Sequence, residues 1–308
     1  GIYVARIPAW KFNRSTGHWT WVAGSDAINQ AGTYGTRGTP TTTTAPGARM
    51  NAVSWIDSTN TLWLFGGEGY DSAGAGLLRL NDLWKFNIST GQWTWVAGSN
   101  VAGQAGIYGT KGTSDSANAP GARTDAAAWT DNVNTLWLFG GLGFGTAGAG
   151  SGHLNDLWKF NSATGHWTWV AGSNGVNQVG IYGTRGTAAA DNAPGARQTA
   201  TAWIDSSNTL WLFGGNGYAS AGTGNLNDLW KFNITTGHWT WVAGSNATNQ
   251  AGVYGTRGTA GTANVPGARA DAVAWIDSSN TLWLFGGLGY GSSSTGTGKL
   301  NDLWRYAR

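Results

Sequence analysis

The sequence predicts an all-β protein made of four near-copies of one repeat, and three observations carry that expectation. Pro-Gly-Ala-Arg ends at Arg49, Arg123, Arg197 and Arg269, in steps of 74, 74 and 72 residues. Trp-Leu-Phe-Gly-Gly begins at Trp63, Trp137, Trp211 and Trp283, in the same steps. Between these landmarks aromatic and β-branched residues recur at a period of two, and no segment sustains the 3.6-residue period of an amphipathic helix.

Each repeat reads as four strands. The first runs from the arginine to a tryptophan, as from Arg197 to Trp203. The second is Thr-Leu-Trp-Leu-Phe, whose period places Trp211 and Phe213 on one face and Leu210 and Leu212 on the other. The third follows Asn-Asp-Leu-Trp, which begins at Asn81, Asn155, Asn227 and Asn301. The fourth is Trp-Thr-Trp-Val, beginning at Trp19, Trp93, Trp167 and Trp239. Asp205-Ser-Ser-Asn208 and Asn233-Ile-Thr-Thr-Gly237 have the residues of tight turns.

Composition agrees. The chain has 51 Gly and 21 Trp in 308 residues and only 11% charged side chains, which suits short strands joined by many turns. The net charge is +3, but Lys and Arg are spread singly, so no nucleic-acid footprint forms. No apolar stretch is long enough to insert in a membrane. With no cysteine, disulfides, thiolate metal sites and cysteine nucleophiles are all excluded. Low charge and Gly/Ser/Thr/Asn-rich loops point to an extracellular or cell-surface protein. The chain opens at Gly1 without a secretory leader, which reads as a mature or excised chain.

Gly66-Gly67, Gly140-Gly141, Gly214-Gly215 and Gly286-Gly287 each follow a hydrophobic strand. Together with the following Asn-Asp-Leu-Trp and the Trp after a Thr-Gly turn, this pattern resembles the kelch family along essentially the whole chain. The resemblance implies a kelch-type β-propeller with one blade of four antiparallel strands per repeat about a central channel. These repeats are longer than usual kelch units, with an extra segment of roughly 20 residues between blades. Residues 1–308 are expected to form one domain, with repeats near 46–119, 120–193, 194–265 and 266–308 plus 9–45.

The blade count is four. The third-strand tryptophan occurs five times, at Trp10, Trp84, Trp158, Trp230 and Trp304. The C-terminus therefore supplies three strands of the last blade, and the N-terminal strand around Trp19 to Val22 is expected to close it. Ala9 to Phe12 is left over, free to cap an edge or to drive self-association by strand exchange.

Two loop motifs are candidate ligand contacts. The interblade segments carry Tyr34 with Arg37, Tyr108 with Lys111, Tyr182 with Arg185, and Tyr254 with Arg257. The loops between second and third strands carry Tyr70, Phe144, Tyr218 and Tyr290. An aromatic ring beside a cation suits a sugar, stacking on its C–H face and bonding its hydroxyls. The same residues equally suit pinning glycine-rich loops to the blades. Arg49, Arg123, Arg197 and Arg269 are expected near the channel mouth, either holding an anion or pairing with Asp82, Asp156, Asp228 and Asp302.

Little equipment for catalysis remains. Glu68 is the only glutamate, and Asp26, Asp71, Asp115, Asp125, Asp191 and Asp271 are unrepeated and scattered. His18, His166 and His238 occupy a turn position where the second repeat has Gln92, and His153 stands alone. Relatives of the galactose oxidase type use copper and a tyrosine crosslinked to cysteine, chemistry this chain lacks. The expectation is a non-catalytic binding propeller without cofactor or metal, its partner a glycan or a protein surface. Its alternative is a structural or protein-interaction module of a larger extracellular assembly.

Overall fold

The computed structural model describes residues 8–293 and 296–306; the remaining parts of the expected domain lie outside the described residues. Every regular element described is a β-strand. Three repeats form complete antiparallel sheets in the order inner, second, third, outer. The first blade comprises Val53–Ile56, Leu62–Phe65, Leu83–Asn87 and Gln92–Ala97. The second comprises Ala127–Thr130, Leu136–Phe144, Ser151–Asn161 and His166–Ala171. The third comprises Thr201–Ile204, Thr209–Tyr218, Thr223–Asn233 and His238–Ala243. The fourth has three strands, Val273–Ile276, Leu282–Gly289 and Gly298–Tyr306.

The period-two pattern sorts side chains onto opposite faces, and each face buries against a different neighbour. Leu210 and Leu212 pack toward the second blade, beside Trp129, Trp137 and Phe139. Trp211 and Phe213 pack toward the fourth, beside Leu282 and Leu284. A recurrent bond locks each junction. The indole of Trp55 donates to the Trp137 carbonyl at 3.1 Å, Trp129 to Trp211 at 3.2 Å, and Trp203 to Trp283 at 3.2 Å.

The residues that lead into the four inner strands, Asn51–Val53, Asp125–Ala126, Thr199–Ala200 and Asp271–Ala272, line one opening, so the sheets are arranged about a common axis in a propeller-like way. Around it runs a chain of backbone bonds, Asp125 N–H to Asn51, Thr199 N–H to Asp125, and Asp271 N–H to Thr199.

The double glycine has a definite task. Gly140 and Gly141 adopt φ of 63° and 96°, and the ladder shifts register between Phe139 and Gly141. A Cβ on Gly140 would lie 2.8 Å from the Arg197 carbonyl and 2.9 Å from that of Leu154. Only glycine admits a bulge where the next blade's backbone comes this close.

The expected closure by the N-terminal strand is not what the chain does. His18–Gly24 pairs with Pro8–Asn13 in a separate two-stranded sheet, and Gly298–Tyr306 carries no outer strand among the described residues. Ala9 to Phe12 is therefore not spare, because it is the partner of His18–Gly24. The cause is local. Asn13 and Gly17 close a short turn in which the Asn13 side chain accepts from Ser15 N–H at 2.9 Å and Gly17 N–H bonds the Asn13 carbonyl at 2.8 Å. A neighbour a few residues away costs far less loop entropy than a partner nearly 300 residues on. The hairpin repeats the third-to-outer pairing of the blades, with Trp10 opposite Trp21 as Trp84 is opposite Trp95.

Candidate functional site

The arginine after Pro-Gly-Ala is the hub of each blade. Arg123 is buried, and its guanidinium forms two parallel bonds to Asp156, both at 2.7 Å. Its remaining donors reach the Gly121 and Gly140 carbonyls, each at 3.0 Å. The same carboxylate accepts the Tyr108 hydroxyl at 2.7 Å and the Trp158 indole at 2.7 Å. Arg49, Arg197 and Arg269 repeat the arrangement with Asp82, Asp228 and Asp302. These arginines are paired within their blades, with no guanidinium left to hold an anion at the channel mouth. A buried ion pair is tolerable only when its donors and acceptors are satisfied in this way.

The interblade tyrosines belong to the same network. Tyr34, Tyr108 and Tyr182 are buried, and burial followed by the neighbouring aspartate pushes their hydroxyls far above the ordinary phenol range. Tyr254 is half-buried and bonds Asp302 at 2.7 Å. A ring inside a blade cannot stack on a sugar, so Tyr34, Tyr108 and Tyr182 leave the ligand set, while Tyr254 is held against Trp304 with ring centres 5.0 Å apart.

Three of their four partner cations are engaged on the outer strand. Arg37, Lys111 and Arg185 lie 4.6, 4.4 and 4.3 Å from the ring centres of Trp95, Trp169 and Trp241. They bond the carbonyls of Gly98, Gly172 and Gly244 at 2.7, 2.9 and 2.8 Å. The extra interblade segment is thus a cover laid along the outer edge of the blade that follows it, not a loop free for ligand. Ser114–Asp115 even pairs with His166–Ala171 as an added strand. Covering the outermost strand satisfies backbone groups that would otherwise invite sheet extension.

Tyr70, Phe144, Tyr218 and Tyr290 are half-buried. The backbone of each presses on Pro-Gly-Ala-Arg, where a Cβ on Gly47 would collide with the Tyr70 carbonyl. Tyr218 also meets His153 of the second blade edge-on, with ring centres 5.9 Å apart. Burial lowers the His153 pKa.

One convergence was missed in the sequence. Asn51, Asp125, Thr199 and Asp271 stand two residues after the four arginines, and with the alanines that follow them they line an axial cavity of about 260 Å³. Each has φ between 52° and 57°, which turns the chain at the axis. Burial raises the Asp125 carboxyl, with the charges of Asp271 and Glu68 adding to it, and burial raises Asp271. The Thr199 hydroxyl has no partner. The available signal was position: each stands two residues after a Pro-Gly-Ala-Arg arginine and directly before an alanine that recurs in all four repeats. Among the described residues, no three His, Asp or Glu side chains converge in a metal-holding group.

No protein-family model matches the chain, and no curated protein matches it. Among solved structures, the one titled "Structure of YjhT" is similar, with a TM-score of 0.48 and 18% identity. The likeness covers 80% of this chain and 61% of that one, so the chain spans less than two thirds of its length.

Proposed function

We propose that this chain is a non-catalytic kelch-type binding module of the cell surface or extracellular space, taking a carbohydrate at the axial cavity. One observation carries the reading: Asn51, Asp125, Thr199 and Asp271, one from each repeat, meet at the axis. Everywhere else the repeated polar groups serve the frame. At the axis a carboxylate pair, a hydroxyl and an amide offer donors and acceptors in four directions, the set a polyhydroxylated molecule requires. A polar opening on a rigid frame is a usual setting for such a pocket. The four equivalent loop sites that the sequence suggested give way to one axial site per chain.

The test is a glycan-array screen followed by calorimetry on the hits. Wild type is expected to bind a coherent family of glycans at one per chain, and Asp125→Asn with Asp271→Asn to weaken binding at least tenfold. Arg185→Ala, on the outer edge, should leave binding unchanged. A blank array, or hits indifferent to both aspartates, would remove the axial assignment.

A further inference from the structure

The axial cavity carries negative charge that the described part of the molecule does not balance. Asp125 and Asp271 lie on its wall, and Glu68 stands beside it, opposite Met50 in the ladder and so next to Asn51. Glu68 is the only glutamate of the chain, and Leu142, Asn216 and Leu288 take its place in the other repeats. The three carboxylates act on one another. Burial raises the Asp125 carboxyl, and the charges of Asp271 and Glu68 raise it further, against a bond from Thr124.

The cations nearby are spent on other partners. The ion pairs of the described residues join Arg49, Arg123, Arg197 and Arg269 to Asp82, Asp156, Asp228 and Asp302, and none involves Glu68, Asp125 or Asp271. Arg79 lies opposite Glu68 in its ladder but gives its Nη1 to Ser151 at 2.6 Å. The chain has a net charge of +3, so a negative axis is a local feature and no by-product of composition.

The cavity wall also leaves polar atoms open. Oδ2 of Asp125 accepts the Thr124 hydroxyl at 3.1 Å and the Asn51 amide at 3.5 Å, while its Oδ1 accepts no bond from the described residues. Because Asn51 turns its amide nitrogen to Asp125, its side-chain oxygen is a further acceptor. Independently of these acids, the Thr199 hydroxyl is shut off from solvent and bonds no protein group. A buried polar atom left unpaired by the protein marks a place where another molecule completes the bonding.

We infer that the axial site takes a sugar bearing a free, protonated amine, its ammonium held by Asp125 and Asp271 with Glu68 adding its charge. The inference rests on the axial carbohydrate reading and names the sugar within it. One positive charge placed among three carboxylates offsets repulsion that the empty site must bear. An ammonium is compact, with three donors and no acceptor, and so suits a wall of separate acceptors from different blades. A guanidinium asks for both oxygens of one carboxylate, and on Asp125 one of them already takes two bonds. A hard metal ion needs six or more oxygens, and no three acidic or histidine side chains converge among the described residues. An acidic sugar would bring a fourth negative charge. N-acetylation would remove the cation while enlarging the group that must enter a cavity of about 260 Å³.

The test compares an oligomer of glucosamine with the equally long oligomer of N-acetylglucosamine, titrated calorimetrically into the full chain below neutral pH. The free amine is expected to bind at least tenfold more tightly, and the preference should shrink as salt rises, because screening weakens charge attraction. Asp125→Asn should abolish the preference. Glu68→Gln alters a side chain that does not line the cavity, so it reads charge rather than fit, and it should reduce the preference at least threefold. Arg185→Ala, on the outer edge, should keep it. Equal affinity for the two oligomers, lost for both in Asp125→Asn with Asp271→Asn, would overturn the amine and leave the axial carbohydrate reading standing. A preference that survives Asp125→Asn would place the amine elsewhere and overturn the inference. Binding of neither oligomer, together with a blank glycan array, would overturn the inference and the reading beneath it.

Discussion

At the scale of single residues, the arginine–aspartate pair sets both the stability and the rigidity of each blade. Arg197 spends its donors on Asp228 and on the Gly195 and Gly214 carbonyls, so Asp228→Ala leaves a buried guanidinium unpaired. The expected loss is about 3–5 kcal/mol in urea unfolding. Tyr182→Phe removes one bond to the same carboxylate and should cost about 1.5–3 kcal/mol. Asp302 and His153 each make stability depend on pH. Burial alone would raise the Asp302 carboxyl, but bonds from Arg269, Trp304 and Tyr254 outweigh it and bring it to about 2. A lowered folded value means stabilisation that is present above the unfolded value, ~3.9, and is lost as pH falls through about 2. Asp302→Asn should flatten acid unfolding in that window. His153 is lowered by burial, so its neutral form is the folded one and stability falls as pH drops below the unfolded value of ~6.5. His153→Gln should remove that component from melting curves taken between about pH 5 and 7.

At the scale of elements, the strands were legible because period two is written in large side chains. Trp211 and Phe213 went to one junction and Leu210 and Leu212 to the other, as the alternation requires. The interblade segment was read as a loop bearing ligand contacts, because aromatic-plus-cation is the same pattern whether the ring beneath is a sugar or a tryptophan. Only the position of Trp95, Trp169 and Trp241 distinguishes them. The cover predicts its own signature. Asn192→Ala deletes bonds to the Thr187 and Trp239 carbonyls, at 2.9 and 3.1 Å. Amide exchange should then accelerate in His238–Ala243 while the inner strand Thr201–Ile204 stays protected, since outer strands open at lower free energy than the core.

At the scale of the whole molecule, similar junctions repeat one geometry from blade to blade, and four non-identical side chains meet at the axis. Asp125 and Asp271 are both raised, so ionising them disfavours the folded state at neutral pH. Asp125→Asn with Asp271→Asn should therefore raise the melting midpoint while lowering ligand affinity. A binding site that costs stability leaves this opposed pair of effects, and a merely structural pair would lose both together.

The sequence by itself determined the strands, their faces, the fourfold repeat and the pairing of each Pro-Gly-Ala-Arg arginine with its Asn-Asp-Leu-Trp aspartate as one of two alternatives. These follow from side-chain period and from residues repeated in register, which are local properties of the chain. The tertiary structure decided the rest. It placed Tyr108 inside a blade and Lys111 over Trp169, brought Asn51, Asp125, Thr199 and Asp271 to one axis, and paired His18–Gly24 with its nearest neighbour. Each is a choice between partners of equal chemistry at different distances along the chain. That choice is made by loop entropy and by the angle at which one blade packs on the next, and neither is written in any single segment.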